Sequence, residues 1–194
     1  MFTLRSLHGS PLDCASPQES FGLHEKICVK KQIAEGDSKF TKMKIEEALQ
    51  TTRFRNEAHK AVLNLLYSAY WFTDNFNQLL KPFHITQEQF NVLRILRGSL
   101  PNALCGRDIA SRMIEKSSNI PRILDRLARK EYIIRQASTG DKRAIDIVIT
   151  QKALDLLKEM DSVITLGENK LINLSDDEAL ILNELLEKIR DIKE

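Results

Sequence analysis

At 194 residues with 42% hydrophobic side chains, the chain is long enough for one domain or two small ones with a real core, and a net charge of only +2 argues against a generic polyanion binder. Cys14, Cys28 and Cys105 are odd in number and far apart, which excludes a disulfide framework and CxxC metal chemistry and fits a reducing cytoplasm. No apolar run approaches the roughly 18 residues of a membrane span, and the opening MFTLRSLHGSPL lacks the apolar stretch of a secretory signal.

Residues 1–42 differ in character from the rest of the chain. They carry Gly9, Pro11, Pro17 and Gly22 with two of the cysteines and show no sustained period. They read as a disordered leader or non-native extension, with Met43 as the functional start; a genuine regulatory arm is the other reading. From Lys44 to Leu80 the pattern is helical, with a break near Thr51–Arg55. VLNLLYSAYWFTDNFNQLL is apolar on more than one face, as in a helix covered on several sides by its own domain or by a partner chain. Pro82 ends it.

Thr86-Gln-Glu-Gln89 is a capping box, so a second helix starts there with Phe90, Leu93 and Leu96 inward. Gly98 and Pro101 mark a loop. A short third helix over Arg107–Glu115 turns Ile109, Met113 and Ile114 inward, and Ser117 or Ser118 caps a fourth in SSNIPRILDRLARKEY. Tyr132–Arg135 and Ala144–Thr150 are β-prone and joined by the turn chemistry of Ser138-Thr-Gly-Asp141, which makes a hairpin with a basic tip. Helix returns from Gln151 to about Lys170. Ser175-Asp-Asp-Glu178 is another capping box, opening a last helix with Leu180, Leu182, Leu185, Leu186 and Ile189. The predicted fold class is mainly α with a small β-hairpin wing: a winged helix-turn-helix core flanked by long helices, a DNA-reading arrangement.

Charge is distributed to match. From Leu104 to Thr150 ten Lys/Arg stand against six Asp/Glu, and from Asp155 to Glu194 five stand against eleven. A basic middle beside an acidic end gives one face to a polyanion and keeps the other away from it. At 100° per residue Ile120, Ile123, Leu124 and Leu127 share one side of the fourth helix, while Ser118, Arg122, Arg126 and Arg129 fall on the other. Asp125 is spaced to pair with Arg122 or Arg129. Pro121 sits in the first turn, where its missing N–H costs little. At this entry Ser117, Ser118 and Asn119 suit base edges, free N–H groups suit a phosphate, and Arg122 reaches far enough for bidentate contact to guanine. Taken alone the stripe is more simply a solvated basic face. Asp141-Lys142-Arg143 at the hairpin tip adds a second basic element at groove-sized separation, with Arg143 suited to a minor groove and Asp141 to orienting it.

The stretch LCGRDIASRMIEKSSNIPRILDRLARKEYIIRQASTGDKRAIDIVIT resembles the DNA-binding core of MarR-family transcriptional regulators, through DIASRM, SSNIPRILDRL, the K-x-Y after it, and DKRAIDIVIT. The resemblance extends over about residues 44–194 and is most specific from 104 to 150. It implies a cytoplasmic homodimer on double-stranded DNA, in which a helical segment, 43–85, and a second one, 151–194, interlock across a two-fold axis. The winged module, 86–150, would then straddle a pseudo-palindromic operator with its symmetry mate, most often as a repressor. It places Ser118, Asn119, Pro121 and Arg122 at the base-reading end, and Asp141 and Arg143 as the wing's acid–arginine pair. Three positions depart from the family pattern: Pro121 replaces a usual Thr or Ser, Glu131 a usual Gly, and Cys105 a usual Ser/Thr helix cap.

Other constellations carry two readings each. Tyr67, Tyr70, Trp71, Phe72, Phe76 and Phe83 put six of twelve aromatics within seventeen positions. Core and dimer packing accounts for them; a pocket for a small aromatic effector, lined by Tyr67, Tyr70, Trp71, Phe83 and His84, is the sharper account. Cys105 at a helix entry has a thiolate favoured by the helix dipole, which offers a redox switch, although a cap-site thiol is more often structural. His8, His24, His59 and His84 are scattered, no catalytic or zinc spacing occurs, and no glycine loop cradles a phosphate. No catalytic residue, metal or cofactor is therefore expected. The alternative to DNA reading is a helical dimer whose basic face docks an acidic protein.

Overall fold

The computed structural model describes residues 43–115, 119–138 and 145–191. Residues 1–42, the helix-entry Ser117 and Ser118, and the wing-tip Asp141, Lys142 and Arg143 lie outside the described residues, and so do the expectations placed on them.

Helix α1 (Ile45–Ala48) is a single turn. The expected break comes next, and Asn56 then restarts the chain as N-cap of α2 (Glu57–Leu80), its side-chain oxygen accepting from the His59 N–H at 2.8 Å. A 3-10 turn (Lys81–Phe83) carries Pro82 and ends at His84 with φ 53°. Helix α3 (Gln87–Gly98) opens on the predicted box, in which Thr86 and Gln89 each accept from the other's backbone N–H at 3.3 Å. Strand β1 (Leu104–Cys105) leads into α4 (Gly106–Arg112). Next come α5 (Ile120–Arg129), β2 (Ile133–Ala137), β3 (Ile145–Ile149), α6 (Gln151–Ile172) and α7 (Asp176–Arg190), the last opened by the Ser175–Glu178 box.

The strands form one antiparallel sheet in the order β1-β3-β2, with Ile133 opposite Ile149, Ala137 opposite Ile145, and Leu104 opposite Ile147. Periodicity predicts only the hairpin; a two-residue strand has no period to read. Helix α4 stops at Arg112, earlier than expected, because Met113 takes extended dihedrals (φ −67°, ψ 137°). Ile114 thereby leaves the helical register, and the inward position predicted for it is wrong: it is 86% exposed, while Ile109 and Met113 are buried.

One continuous core runs from Phe76 to Leu171. The C-terminal part of α2 (Phe76, Leu79, Leu80), the inner face of α3 (Phe90, Val92, Leu93, Leu96), the apolar side of α5, strands β2 and β3, and α6 (Leu157, Met160, Val163, Ile164) all contribute. Gly167 of α6 lies so close to α2 that a Cβ there would collide with the Leu79 side chain. Arg97 Nη1 donates to both Asp161 oxygens, at 3.0 and 2.9 Å, tying α3 to α6. Helix α7 is different. It contributes no buried residue, and Leu180, Ile181, Leu182, Leu185 and Ile189 are exposed by 39–60%. Val62, Leu65 and Leu66 in the first half of α2 are exposed as well.

Candidate nucleic-acid interface

The interface is built around α5. Its N-cap is Asn119, not Ser117 or Ser118, and Pro121 is the second helical residue, where an N–H would have no intrahelical acceptor. Ile120, Ile123, Leu124 and Leu127 are all buried, as their spacing predicts, and hold α5 against α3, α4 and β2. That burial turns Pro121, Arg122 and Arg129 outward and leaves Asn119 exposed at the entry. Among the described residues no ion pair engages Arg122. Arg126, one turn further along, is half-buried.

Asp125 pairs with neither arginine expected from helical spacing. Its Oδ1 lies 2.6 Å from Arg135 Nη2 on β2, and the same nitrogen lies 3.5 Å from the Pro121 carbonyl. Among the described residues Arg129 Nε donates to the Asp125 backbone carbonyl, at 3.4 Å. Helical spacing can rank partners along one helix but says nothing of a strand that crosses it.

The exit of α5 is also settled by local chemistry. Glu131 takes φ 61°, the left-handed conformation that glycine adopts more readily. The Glu131 N–H donates to the Ala128 carbonyl at 2.9 Å and the Tyr132 N–H to the Leu127 carbonyl at 3.0 Å, which closes the helix. The helix thus ends as it would with glycine, at a conformational cost. Lys152 Nζ donates to the Glu131 carboxylate at 2.7 Å and lies 5.6 Å from the Tyr132 ring centroid. The hydrogen bond and charge of Lys152 hold the Glu131 carboxyl below its ordinary pKa. Thr150, N-cap of α6, donates its hydroxyl to the Glu131 carbonyl at 2.8 Å and its N–H to the Tyr132 carbonyl at 3.0 Å.

Cys105 is the N-cap residue of α4 and a half-buried free thiol. Its backbone N–H donates to Asp108 Oδ2 at 3.3 Å. The Cys105 thiol and then its backbone N–H hold the Asp108 carboxyl below its ordinary pKa.

The five residues proposed for an effector pocket do not converge within the single chain. Phe83 is buried in the core, Tyr70 is 78% exposed, Trp71 is exposed, and the half-buried Tyr67 donates its hydroxyl to the Met43 sulfur at 3.7 Å. Of the five, His84 lines a cleft of about 440 Å³, together with Thr86, Gln89, Arg126, Arg129 and Lys130. Lys130 donates to the His84 carbonyl, and burial, then the Arg126 charge, lowers its pKa. This grouping is not readable from sequence, because it joins the start of α3 to the end of α5. The only sequence signal is the run of arginines. No group of three His, Cys, Asp or Glu among the described residues could hold a metal, and no described helix is long and apolar enough to cross a membrane.

Comparison with known proteins agrees with this geometry. The MarR family model matches residues 85–145, which covers α3 through the start of β3. The HTH-type transcriptional regulator MhqR of Bacillus subtilis (strain 168) is 27% identical over 119 residues, 60% of this chain and 79% of MhqR. Residues 85–145 thus carry a MarR-family domain, the domain of a family of DNA-binding transcriptional regulators. Solved MarR-family structures share its fold. A MarR mutant of E. coli complexed with operator DNA is 23% identical with a TM-score of 0.63, over 71% of this chain and 99% of the other. BpsR of Bordetella bronchiseptica, described with regulation of its DNA binding by 6-hydroxynicotinic acid, is 18% identical with a TM-score of 0.63, over 73% of this chain and 100% of the other.

Proposed function

We propose that the protein is a homodimeric, sequence-specific repressor that binds a pseudo-palindromic operator in the cytoplasm and is released by a small aromatic effector. The observation that carries the dimer is α7, a fifteen-residue helix without one buried residue, whose apolar side chains are left uncovered by its own chain. Isolated monomers rarely leave so many large apolar groups in one place. Residues 43–85 and 151–194 are read as the segments that bring two chains together, and 86–150 as the module that meets DNA.

On each module Ser117, Ser118, Asn119, Pro121 and Arg122 meet base edges at the entry of α5, and Arg126 supports them from the cleft side. Lys142 and Arg143 track the backbone and minor groove from the wing, with Asp141 orienting Arg143. Two modules related by a two-fold axis read half-sites about 10 base pairs apart. The effector reading rests on the His84 cleft. Its cations suit an acidic aromatic molecule, and a ligand that fits only one angle between the modules shifts the population to that angle. The E. coli operator complex and the 6-hydroxynicotinic acid response of BpsR are the parallels that support it.

The test is a gel shift on duplexes selected from a random pool, run beside sedimentation equilibrium. The expected result is a dimer at micromolar concentration that prefers one palindromic sequence. Its log affinity should fall with log salt at about −0.9 per phosphate neutralised. A lone subunit, or equal binding to every duplex, would sink the reading. The latter outcome together with capture of an acidic protein would favour the docking alternative.

A further inference from the structure

Arg122 faces outward with no ion-pair partner among the described residues, although an acid stands three residues along its own helix. The pair Arg122–Asp125 has the spacing at which a helix lets opposite charges meet. An arginine engaged that way would have to break the pair before it could bind a base edge. In the folded chain Asp125 is instead occupied from outside the helix, by Arg135 of β2 at 2.6 Å. The same guanidinium nitrogen sits 3.5 Å from the Pro121 carbonyl, one turn earlier on α5. Arg135 therefore spans the helix entry, against the side of α5 that packs on β2.

We infer that Arg135 is a positioning residue for DNA binding: by engaging Asp125 it keeps that carboxylate away from Arg122 and leaves the Arg122 charge free for the operator. The inference rests on the reading of Arg122 as a base contact. Arg135 itself need not touch DNA. An exposed ion pair of this kind adds little to stability, since solvent screens it and ordering two long side chains costs entropy. Its effect is on which partner Asp125 chooses. Removing Arg135 releases Asp125 to Arg122, and binding weakens. Removing Asp125 as well takes away the competitor, and binding returns.

The experiment uses the full chain and the best duplex that the wild-type protein selects from a random pool. Four variants are compared: Arg122→Ala, Arg135→Gln, Asp125→Asn, and Arg135→Gln with Asp125→Asn. Binding is measured at two salt concentrations, and thermal unfolding is monitored by circular dichroism. Arg135→Gln should weaken binding roughly five- to tenfold, a fraction of the loss expected for a missing base contact. That deficit should shrink at higher salt, which screens Asp125 from Arg122. Asp125→Asn alone should stay within about twofold of wild type. The double variant should return to that level, with melting temperatures close to wild type throughout. A double variant as weak as Arg135→Gln overturns the inference and makes Arg135 a direct phosphate contact or a structural prop; a matching fall in melting temperature marks the prop. An Arg135→Gln protein that binds like wild type overturns it too. If Arg122→Ala binds normally, the base-contact reading of Arg122 fails and takes the inference with it; if that variant is weak and Arg135→Gln is not, the inference alone fails.

Discussion

In the winged module and in α7 the same kinds of apolar residue meet different fates. Between Phe90 and Ile149 the large aliphatic side chains of α3, α5 and the sheet close on one another and on α6. In α7, Leu180, Ile181, Leu182, Leu185 and Ile189 close on nothing within the chain. Both regions have capped helices with apolar residues at helical spacing, so amphipathicity by itself does not say what covers an apolar face. The module's apolar face is covered within the chain, by its own elements and by α2 and α6, whereas that of α7 is not.

The comparison breaks first at the buried core that the module shares with α6. Leu157 is fully buried in α6, and Leu157→Ala should lower unfolding stability by about 2–5 kcal/mol. The loss should be the same at every protein concentration, which denaturant titration at two concentrations checks. Leu185→Asp should behave in the opposite way. It removes apolar area worth about 1.5–3 kcal/mol per side chain from the proposed dimer contact and adds a charge there. Sedimentation equilibrium should show a weaker dimer, and the melting temperature should become concentration-dependent while the module's helical signal persists. If Leu185→Asp instead unfolds the chain at all concentrations, α7 is not half of a contact. The smallest expected effect lies at the joint between the two regions. Glu131→Gly relieves a left-handed conformation whose cost is on the order of 1 kcal/mol or more, and it gives up an exposed ion pair that solvent largely screens. Chemical denaturation should show unchanged or slightly raised stability. A clear loss would mean that Lys152 matters more to the helix exit than the backbone does.

Much of the module is legible in the sequence because its signals are local. The Thr86 and Ser175 boxes mark helix starts within four residues, and the Ile120–Leu127 stripe defines an inner face by spacing alone. What stays hidden depends on distant partners or on a missed boundary. Ile114 is misplaced when the 3.6-residue period is carried past the point where Met113 turns extended. Spacing assigns Asp125 to its helical neighbours because Arg135 becomes adjacent only once β2 folds across α5. The His84 cleft joins two helix ends separated by more than forty residues. At Glu131 the sequence shows an absent glycine, and only the backbone reveals that the turn forms without it.

Thr150 has a mechanical consequence. Its hydroxyl and N–H are both spent on the carbonyls just past α5, those of Glu131 and Tyr132, while its side-chain oxygen also accepts the N–H of Ala153 in the first turn of α6. One threonine thus welds the tail of α5 to the head of the long helix with no slack between them. A twist imposed on α6 is passed on at that corner, where a looser hinge would have absorbed it.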